Sequence, residues 1–490
     1  MKKKHFLLVL FLIHHSLFIY SQATSKLTDE IEKLKSDKAM QHALWSVCVM
    51  SVQKDAVIAE YNSQVSLIPA STLKLMTTGA ALSMLGSDFT FKTKIQYDGI
   101  FDSTSGILKG NLYIIGGGDP TIDSKYFKNK NDSINTTDKW ALILKTKGIK
   151  IIEGAVIADA SLFEDNILPS QWIWGDIGNY FGTGASGLSY HDNSYSIFLN
   201  SGSAGSTATI NKTDPFIEGL KLINKVTAAG KNDSAFIYGS PYTYYRTIEG
   251  SIPANKKNYE VEGAMPDPAL FCAQALEKSL QNIGVKTNQK ATTVRHLKDE
   301  GKYTSSAKNT LYTYYSPSLE KIVYWTNLKS INMYAEHLLK YIAYIKTGIG
   351  KEDKGIETIV KFWKERGVDV SGWTMNDGCG LSRANVITTK TQVQVLRKML
   401  LDKTSKAFYN SLPVAGKSGS LGNLCEGTIA ENNLCAKSGY ITGARGYTGY
   451  VKNKKGELLC FSVLANNYEC TATEMKRKLE KILIAIAELE

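Results

Sequence analysis

Ser71 and Lys74 stand three residues apart in Ser71-Thr72-Leu73-Lys74, directly after Pro69-Ala70. Positions i and i+3 share one face of a helix, so the hydroxyl and the amine can meet. A serine hydroxyl is a weak nucleophile without an adjacent base. A lysine can be that base once burial, a helix N-terminus or a second cation lowers its pKa. The pair offers nucleophilic acyl chemistry, but the spacing alone is common by chance and needs partners.

Two further runs supply them. Ser330-Ile331-Asn332 stands just before a helical pattern. In an extended segment Ser330 and Asn332 point to one side. The hydroxyl can then relay a proton, and the amide can orient Lys74 and a substrate carbonyl. The plainer role for Ser330 is a helix N-cap. A Lys-Ser-Gly triplet occurs twice, at Lys417-Ser418-Gly419 in a Gly/Ser-rich stretch and at Lys437-Ser438-Gly439 within LCAKSGYITG. The chemistry wants a cation on an edge strand, with a glycine that lets substrate backbone lie close. Strand context selects Lys437 and gives the first copy to a loop.

Periodicity predicts helices over residues 28–43, 71–85, 268–281, 331–345, 354–366, 391–401 and 471–490. The last opens with a capping box at Thr471 and Glu474. Strand formers fill residues 44–52, 56–61, 433–442, 447–452 and 457–466. Residues 89–266 have a different texture, with short alternating runs broken by Gly, Asp and Asn. They read as a mainly β insertion of two subdomains inside a host domain built from residues 24–88 and 267–490. The length of 490 residues fits such a multidomain chain.

Composition is that of a globular protein, 43% hydrophobic and 21% charged. The formal net charge of +12 suits a solvated basic surface, or attraction to an anionic polymer such as cell wall. The basic residues are spread out without a nucleic-acid motif, so no nucleic acid is expected. Lys2–Lys4, the apolar run 6–20 and Ser21-Gln22-Ala23 read as a secretory signal over residues 1–23. Seven cysteines leave at least one thiol unpaired. Cys425 and Cys435 could close a short loop in an exported protein. His42, His191, His296 and His337 lack ligand spacing, so no metal is expected. Gly182–Gly187 fits G-x-G-x-x-G formally but opens no helix, which argues against a dinucleotide. Gly416-Lys417-Ser418 lacks the first glycine of a phosphate loop, since Ser411 stands there. Cys379 in DGCGLSR has no His/Asn partner pattern and reads as a packed or surface thiol, while Asp377 and Arg383 of the same run could support the site structurally.

The order S-x-x-K, S-x-N, K-[ST]-G resembles that of penicillin-binding proteins and serine β-lactamases. The wide gap between Lys74 and Ser330 narrows this to the D-Ala-D-Ala carboxypeptidases and endopeptidases of the penicillin-binding protein 4 type. Similar segments run through most of the chain: LYIIGGGDPT, GNYFGTGASGLSYHDN, AMPDPALF, SPSLEKIVYWTNLKSINMYAEHLL, DGCGLSR and LPVAGKSGSL. The last aligns the first Lys-Ser-Gly with a loop rather than the catalytic strand.

The resemblance implies an α/β (α+β) fold of the β-lactamase/transpeptidase-like kind, an antiparallel sheet with helices on both faces. It implies an acyl-enzyme on Ser71, with Lys74 as base, Ser330 passing a proton to the leaving amine and Asn332 holding the acyl chain. Lys437 and Ser438 would attract the terminal carboxylate beside Gly439, and the backbone N–H groups of Ser71 and Tyr440 would form the oxyanion hole. It implies peptidoglycan peptides as substrate, β-lactam antibiotics as covalent inhibitors, no cofactor, and a periplasmic location with room for wall or peripheral membrane association. A β-lactamase and a non-catalytic wall-binding or penicillin-sensing protein are the alternatives; the first is disfavoured because no Glu-bearing loop for fast deacylation is recognisable. The departures are Ile331 for the usual Asp, Ser438 for Thr, and Tyr440 for a small Thr.

Overall fold

The computed structural model describes residues 25–128 and 134–490. The expected secretory signal at residues 1–23 lies outside the described residues. Among the described residues, no helix is long and apolar enough to cross a membrane.

The described residues open with helix α1 (Ser25–Lys35) and the hairpin of β1 (Leu44–Ser51) and β2 (Ala56–Tyr61). β1 is buried along almost its whole length, as a central strand must be. A 3-10 turn, Ala70–Leu73, then leads into α2 (Lys74–Leu85). Beyond residue 315 the same domain continues with α3 (Leu319–Lys329), α4 (Asn332–Thr347), α5 (Glu352–Glu365) and α6 (Thr389–Leu400). It closes with β3 (Cys435–Ile441), β4 (Ala444–Lys452), β5 (Leu458–Asn466) and α7 (Ala472–Ala487). The five strands form one antiparallel sheet in the order β3-β4-β5-β1-β2. The two chain ends therefore meet at β1–β5, and β3 is left as an edge.

One face of the sheet is covered by α1 and α7, where Leu27, Ile31 and Leu34 join Met475, Leu479 and Ile482. The other carries α2 with α3 to α6 around it. α2 is buried on every side from Lys74 to Leu82. Its hydroxyls find internal acceptors, Thr77 on the Gly378 carbonyl and Thr78 on the Lys74 carbonyl. A helix so enclosed holds its first residue, Lys74, away from water.

The inserted region has two cores. The first contains a five-stranded sheet whose middle strands are Val156–Asp159, Leu112–Ile115 and Lys92–Tyr97, packed by helices Thr136–Thr146 and Pro268–Asn282. The second is all β, with two three-stranded sheets between Ser194 and Ala264 around Ile197, Val226, Ile237 and Ile248. The expected boundary at residue 266 needs correction. Helix Pro268–Asn282 turns Cys272, Leu276 and Leu280 into the first inserted core, and Asn309–Tyr315 pairs with Lys92–Tyr97. Helical periodicity places this helix but does not say which core its apolar face joins. The first inserted core is also mixed α/β with parallel strand pairs rather than mainly β.

All seven cysteines are unpaired thiols. Cys425 packs with α1 and α7, whereas Cys435 faces α2 to α6, so the sheet separates the two residues that the sequence allowed to pair.

Candidate active site

The 3-10 turn puts Ser71 one turn before Lys74, and the Lys74 ammonium donates to Ser71 Oγ at 3.0 Å. The same Nζ donates to Asn332 Oδ1 at 2.6 Å and to the Cys379 carbonyl at 2.9 Å. Asn332 is fixed in turn, because its Nδ2 donates to the Phe181 carbonyl at 2.7 Å. That acceptor comes from the inserted region, so the insertion closes one wall of the site.

Ser330 is neither in an extended segment nor an N-cap. Ser330 is the left-handed C-cap of α3 (φ 59°, ψ 39°), Ile331 caps α4 and Asn332 opens it. The tight turn between two helices aims Ser330 at β3 and Asn332 at α2. Lys437, on the edge strand β3, donates to Ser330 Oγ at 3.0 Å and to the Ser438 carbonyl at 2.8 Å. Hydrogen bonds thus join Ser71, Lys74 and Asn332 in one set and Ser330 and Lys437 in another, and the turn from Ser330 to Asn332 brings the two sets together. Ser438 borders this site, and Tyr440 stands at its mouth with its ring more than half exposed.

Gly439 explains how β3 approaches Ser71. A Cβ there would stand 2.5 Å from the Pro69 carbonyl oxygen and 3.2 Å from the Ser71 amide nitrogen. Gly439→Ala is therefore expected to push β3 off the Ser71 turn and slow covalent labelling of Ser71 by roughly 10- to 100-fold, since small misplacements of reacting groups cost that much. The folded fraction should stay high. Unchanged labelling kinetics would refute the close-packing argument.

Both lysines are fully enclosed, and burial pushes each below the usual lysine range. For Lys74, Cys379, Asp377 and Glu336 oppose that fall. Lys437 has no such acidic neighbours, and Lys74 pushes it down further. A neutral amine is what a base beside Ser71 needs.

Beneath Lys74 lies a layer in which the sequence pointed to Asp377 as a structural support but not to Glu336 or the Cys379 carbonyl. Asp377 accepts from the Gly380 and Ser382 amides, from Asn385 Nδ2 and from Trp172 Nε1. These bonds shape the loop whose Cys379 carbonyl holds Lys74. Glu336, one turn beyond Asn332 on α4, accepts from the Gly378 amide at 3.1 Å. Glu336, Asp377 and Cys379 each place an oxygen or sulfur within 4.8 Å of the others. Asp377 is saturated by donors, and the set holds no histidine. Burial, and next Asp377, push the Glu336 carboxyl up to about 8. Cys379 is buried with its thiol pushed up, which suits a structural residue.

The raised carboxyl has a consequence for stability. The folded state holds this proton more tightly than the unfolded chain, so the Glu336 contribution is full below pH 4.5 and is lost as pH rises toward about 8. Glu336→Gln, which mimics the protonated form, is expected to reduce the fall in melting temperature between about pH 5 and pH 8 by a few degrees. An identical pH slope in the two proteins would show that Glu336 does not hold the proton.

A model of the D-Ala-D-Ala carboxypeptidase 3 (S13) family matches residues 27–488. The chain belongs to that family. It is similar to a D-alanyl-D-alanine carboxypeptidase of Actinomadura sp. (strain R39), 28% identical over 458 residues that cover 91% of this chain and 81% of the relative. It is also similar to the D-alanyl-D-alanine carboxypeptidase DacB of Haemophilus influenzae, 24% identical over 439 residues, 87% of this chain and 86% of the relative. The fold is shared with the crystal structure of Haemophilus influenzae penicillin-binding protein 4, at a TM-score of 0.78 and 22% identity, covering 93% of this chain and 97% of that one. The α/β fold class and the resemblance to penicillin-binding protein 4-type D-Ala-D-Ala carboxypeptidases agree with these findings.

Two further neighbours of the family's site are visible here but were not selected from the sequence. One is Ser420, whose Oγ accepts from Ser438 Oγ at 2.6 Å. The other is the Phe181 carbonyl beneath Asn332. A backbone carbonyl leaves no residue-type signal. Ser420 stands one residue beyond the Lys-Ser-Gly copy that was correctly assigned to a loop.

Proposed function

We propose that the protein is a serine D-Ala-D-Ala carboxypeptidase that also reacts with β-lactams, acting on peptidoglycan stem peptides. The single observation that carries this reading is the Lys74 amine, buried and bonded at once to Ser71 Oγ and Asn332 Oδ1. The H. influenzae penicillin-binding protein 4 has been solved in complex with a β-lactam, and this supports the inhibitor class.

The reaction runs in two halves. Lys74 takes the Ser71 proton as Oγ attacks the carbonyl of the penultimate D-Ala. The oxyanion forms against the Ser71 and Tyr440 N–H groups, where one lost donor costs about 2.7–4 kcal/mol of barrier. The proton passes through Ser330 to the leaving amine as the C–N bond breaks, and D-Ala departs. Asn332 holds the acyl chain, and Lys437 with Ser438 and Gly439 seats the carboxylate and the backbone beside β3. Water then cleaves the Ser71 ester and regenerates the hydroxyl. In a cross-linked substrate the same bond changes would make the enzyme an endopeptidase. A wall substrate and the signal-like run of residues 1–23 support work outside the cytoplasm, in the periplasm, with room for wall or peripheral membrane association.

The test is intact-mass analysis of the protein treated with a labelled penicillin, alongside D-Ala release from an N-acylated peptide ending in D-Ala-D-Ala. The expected result is one adduct per chain, mapped to the peptide holding Ser71, together with released D-Ala. A folded protein that gains an adduct but frees no D-Ala would favour a penicillin-sensing role. No adduct at all would overturn the acyl-enzyme reading and favour wall binding.

A further inference from the structure

We propose that Ser420 is a specificity-determining residue that receives the substrate's terminal carboxylate jointly with Ser438; this rests on the carboxypeptidase reading above. Ser438 Oγ donates to Ser420 Oγ at 2.6 Å, beside Lys437. Two adjoining hydroxyls can receive a carboxylate together, and the Lys437 amine bonds the backbone carbonyl of the same residue, Ser438. Each hydroxyl can rotate to donate, and hydrogen bonds to an ionised acceptor are the strong ones. Ser438 is half-buried and Ser420 exposed, so an incoming carboxylate can reach both.

The loop that carries Ser420 is built to hold it there. Val414 and Ser418 close it, with the Ser418 amide donating to the Val414 carbonyl and the Val414 amide to Ser418 Oγ, both at 3.0 Å. Gly419 has φ +56°, and a Cβ there would stand 2.7 Å from the Leu328 carbonyl. Leu328 lies two residues before Ser330, so the loop is seated on the last turn of α3. On its other side the Ala436 amide donates to the Pro413 carbonyl, which ties the loop to β3. Ser420 is thus fixed between the S-x-N turn and the Lys-Ser-Gly strand.

A second observation says why another element should supply the hydroxyl. Along β3 the next residue on the Ser438 face is Tyr440. Its ring is exposed and lies 5.4 Å from the Arg445 guanidinium, which holds it outward. The strand therefore offers one short hydroxyl, and the neighbouring loop offers the other.

The test measures kcat and KM for the parent, Ser420→Ala and Ser420→Thr on an N-acylated peptide ending in D-Ala-D-Ala, and on the same peptide as its C-terminal amide. Ser420→Ala is expected to lower kcat/KM on the acid by roughly 10- to 100-fold, mainly through KM, as loss of a hydrogen bond to a charged group predicts. The amide should change by less than about 2-fold, since it brings no charge to that position. Ser420→Thr should restore the acid. Equal losses on acid and amide, or an unchanged KM on the acid, would overturn the proposal. If the amide is turned over too slowly to measure, the KM-only loss and its rescue by threonine decide. Penicillin labelling of the parent is run in parallel. A parent that neither labels nor turns over removes the underlying function, whereas an active parent with an unaffected Ser420→Ala removes only Ser420's role.

Discussion

Ser71→Ala is expected to abolish the penicillin adduct and to reduce D-Ala release by at least roughly 10³-fold, the order seen when a nucleophile is deleted from a cooperating set. The argument rests on the hydroxyl's place in the network. Its removal takes one bond from Lys74, which keeps the Asn332 and Cys379 acceptors, so α2 and the turn should stay folded. Melting should move little. Ser330, Lys437, Ser438 and Ser420 are untouched, so reversible binding of the penicillin should persist. Loss of covalency with retained binding would separate catalysis from mere recognition. A full adduct on folded Ser71→Ala would mean that another residue is the nucleophile. Cys379 is a poor alternative, because it is buried with its thiol pushed up.

Much of this site is legible in the sequence because acyl chemistry concentrates in short runs. Ser71 and Lys74 need only one helical turn to meet, and Lys437 needs only an edge strand. The elements that carry them are strongly periodic, and α2, α4 and β3 lie within a few residues of their expected positions. The helix α3 was not anticipated, and this is why Ser330 was expected in an extended segment. Its buried positions Leu319, Ile322, Val323 and Thr326 do follow a helical spacing, but Tyr324 and Trp325 between them blur the pattern.

What the sequence could not show depends on partners far along the chain. Strand Asn309–Tyr315 could face either module until Lys92–Tyr97 is seen beside it. Glu336 could have been any helical carboxylate, and its meaning comes from the Gly378 amide and Asp377 that fold against it. Cys379 matters through its carbonyl, which every residue type possesses. Such features belong to tertiary packing rather than to local pattern.

Lys74 is the residue where burial and chemistry bear on each other most directly, and Lys74→Met is expected to slow acylation by roughly 10²- to 10⁴-fold, the usual contribution of a positioned base. Methionine keeps the length and the apolar stem but leaves Asn332 Oδ1 and the Cys379 carbonyl without their donor. Each buried unsatisfied group costs about 1–3 kcal/mol, partly offset because a desolvated amine is removed. A melting curve must therefore accompany the rate. Lys74→Arg separates the remaining possibilities, since arginine is a permanent cation and cannot accept the Ser71 proton. If Lys74 acts as base, both variants fail. If it serves only as a positive charge beside the oxyanion, arginine rescues. The pH profile gives an independent sign. Burial lowers the Lys74 pKa, so the neutral form is gained as pH rises through that lowered value and lost as pH falls below it. Acylation by the parent should climb with pH and level off before the usual lysine range is reached. A rate that falls over the same interval would mean that the protonated amine, not the free base, is the working form.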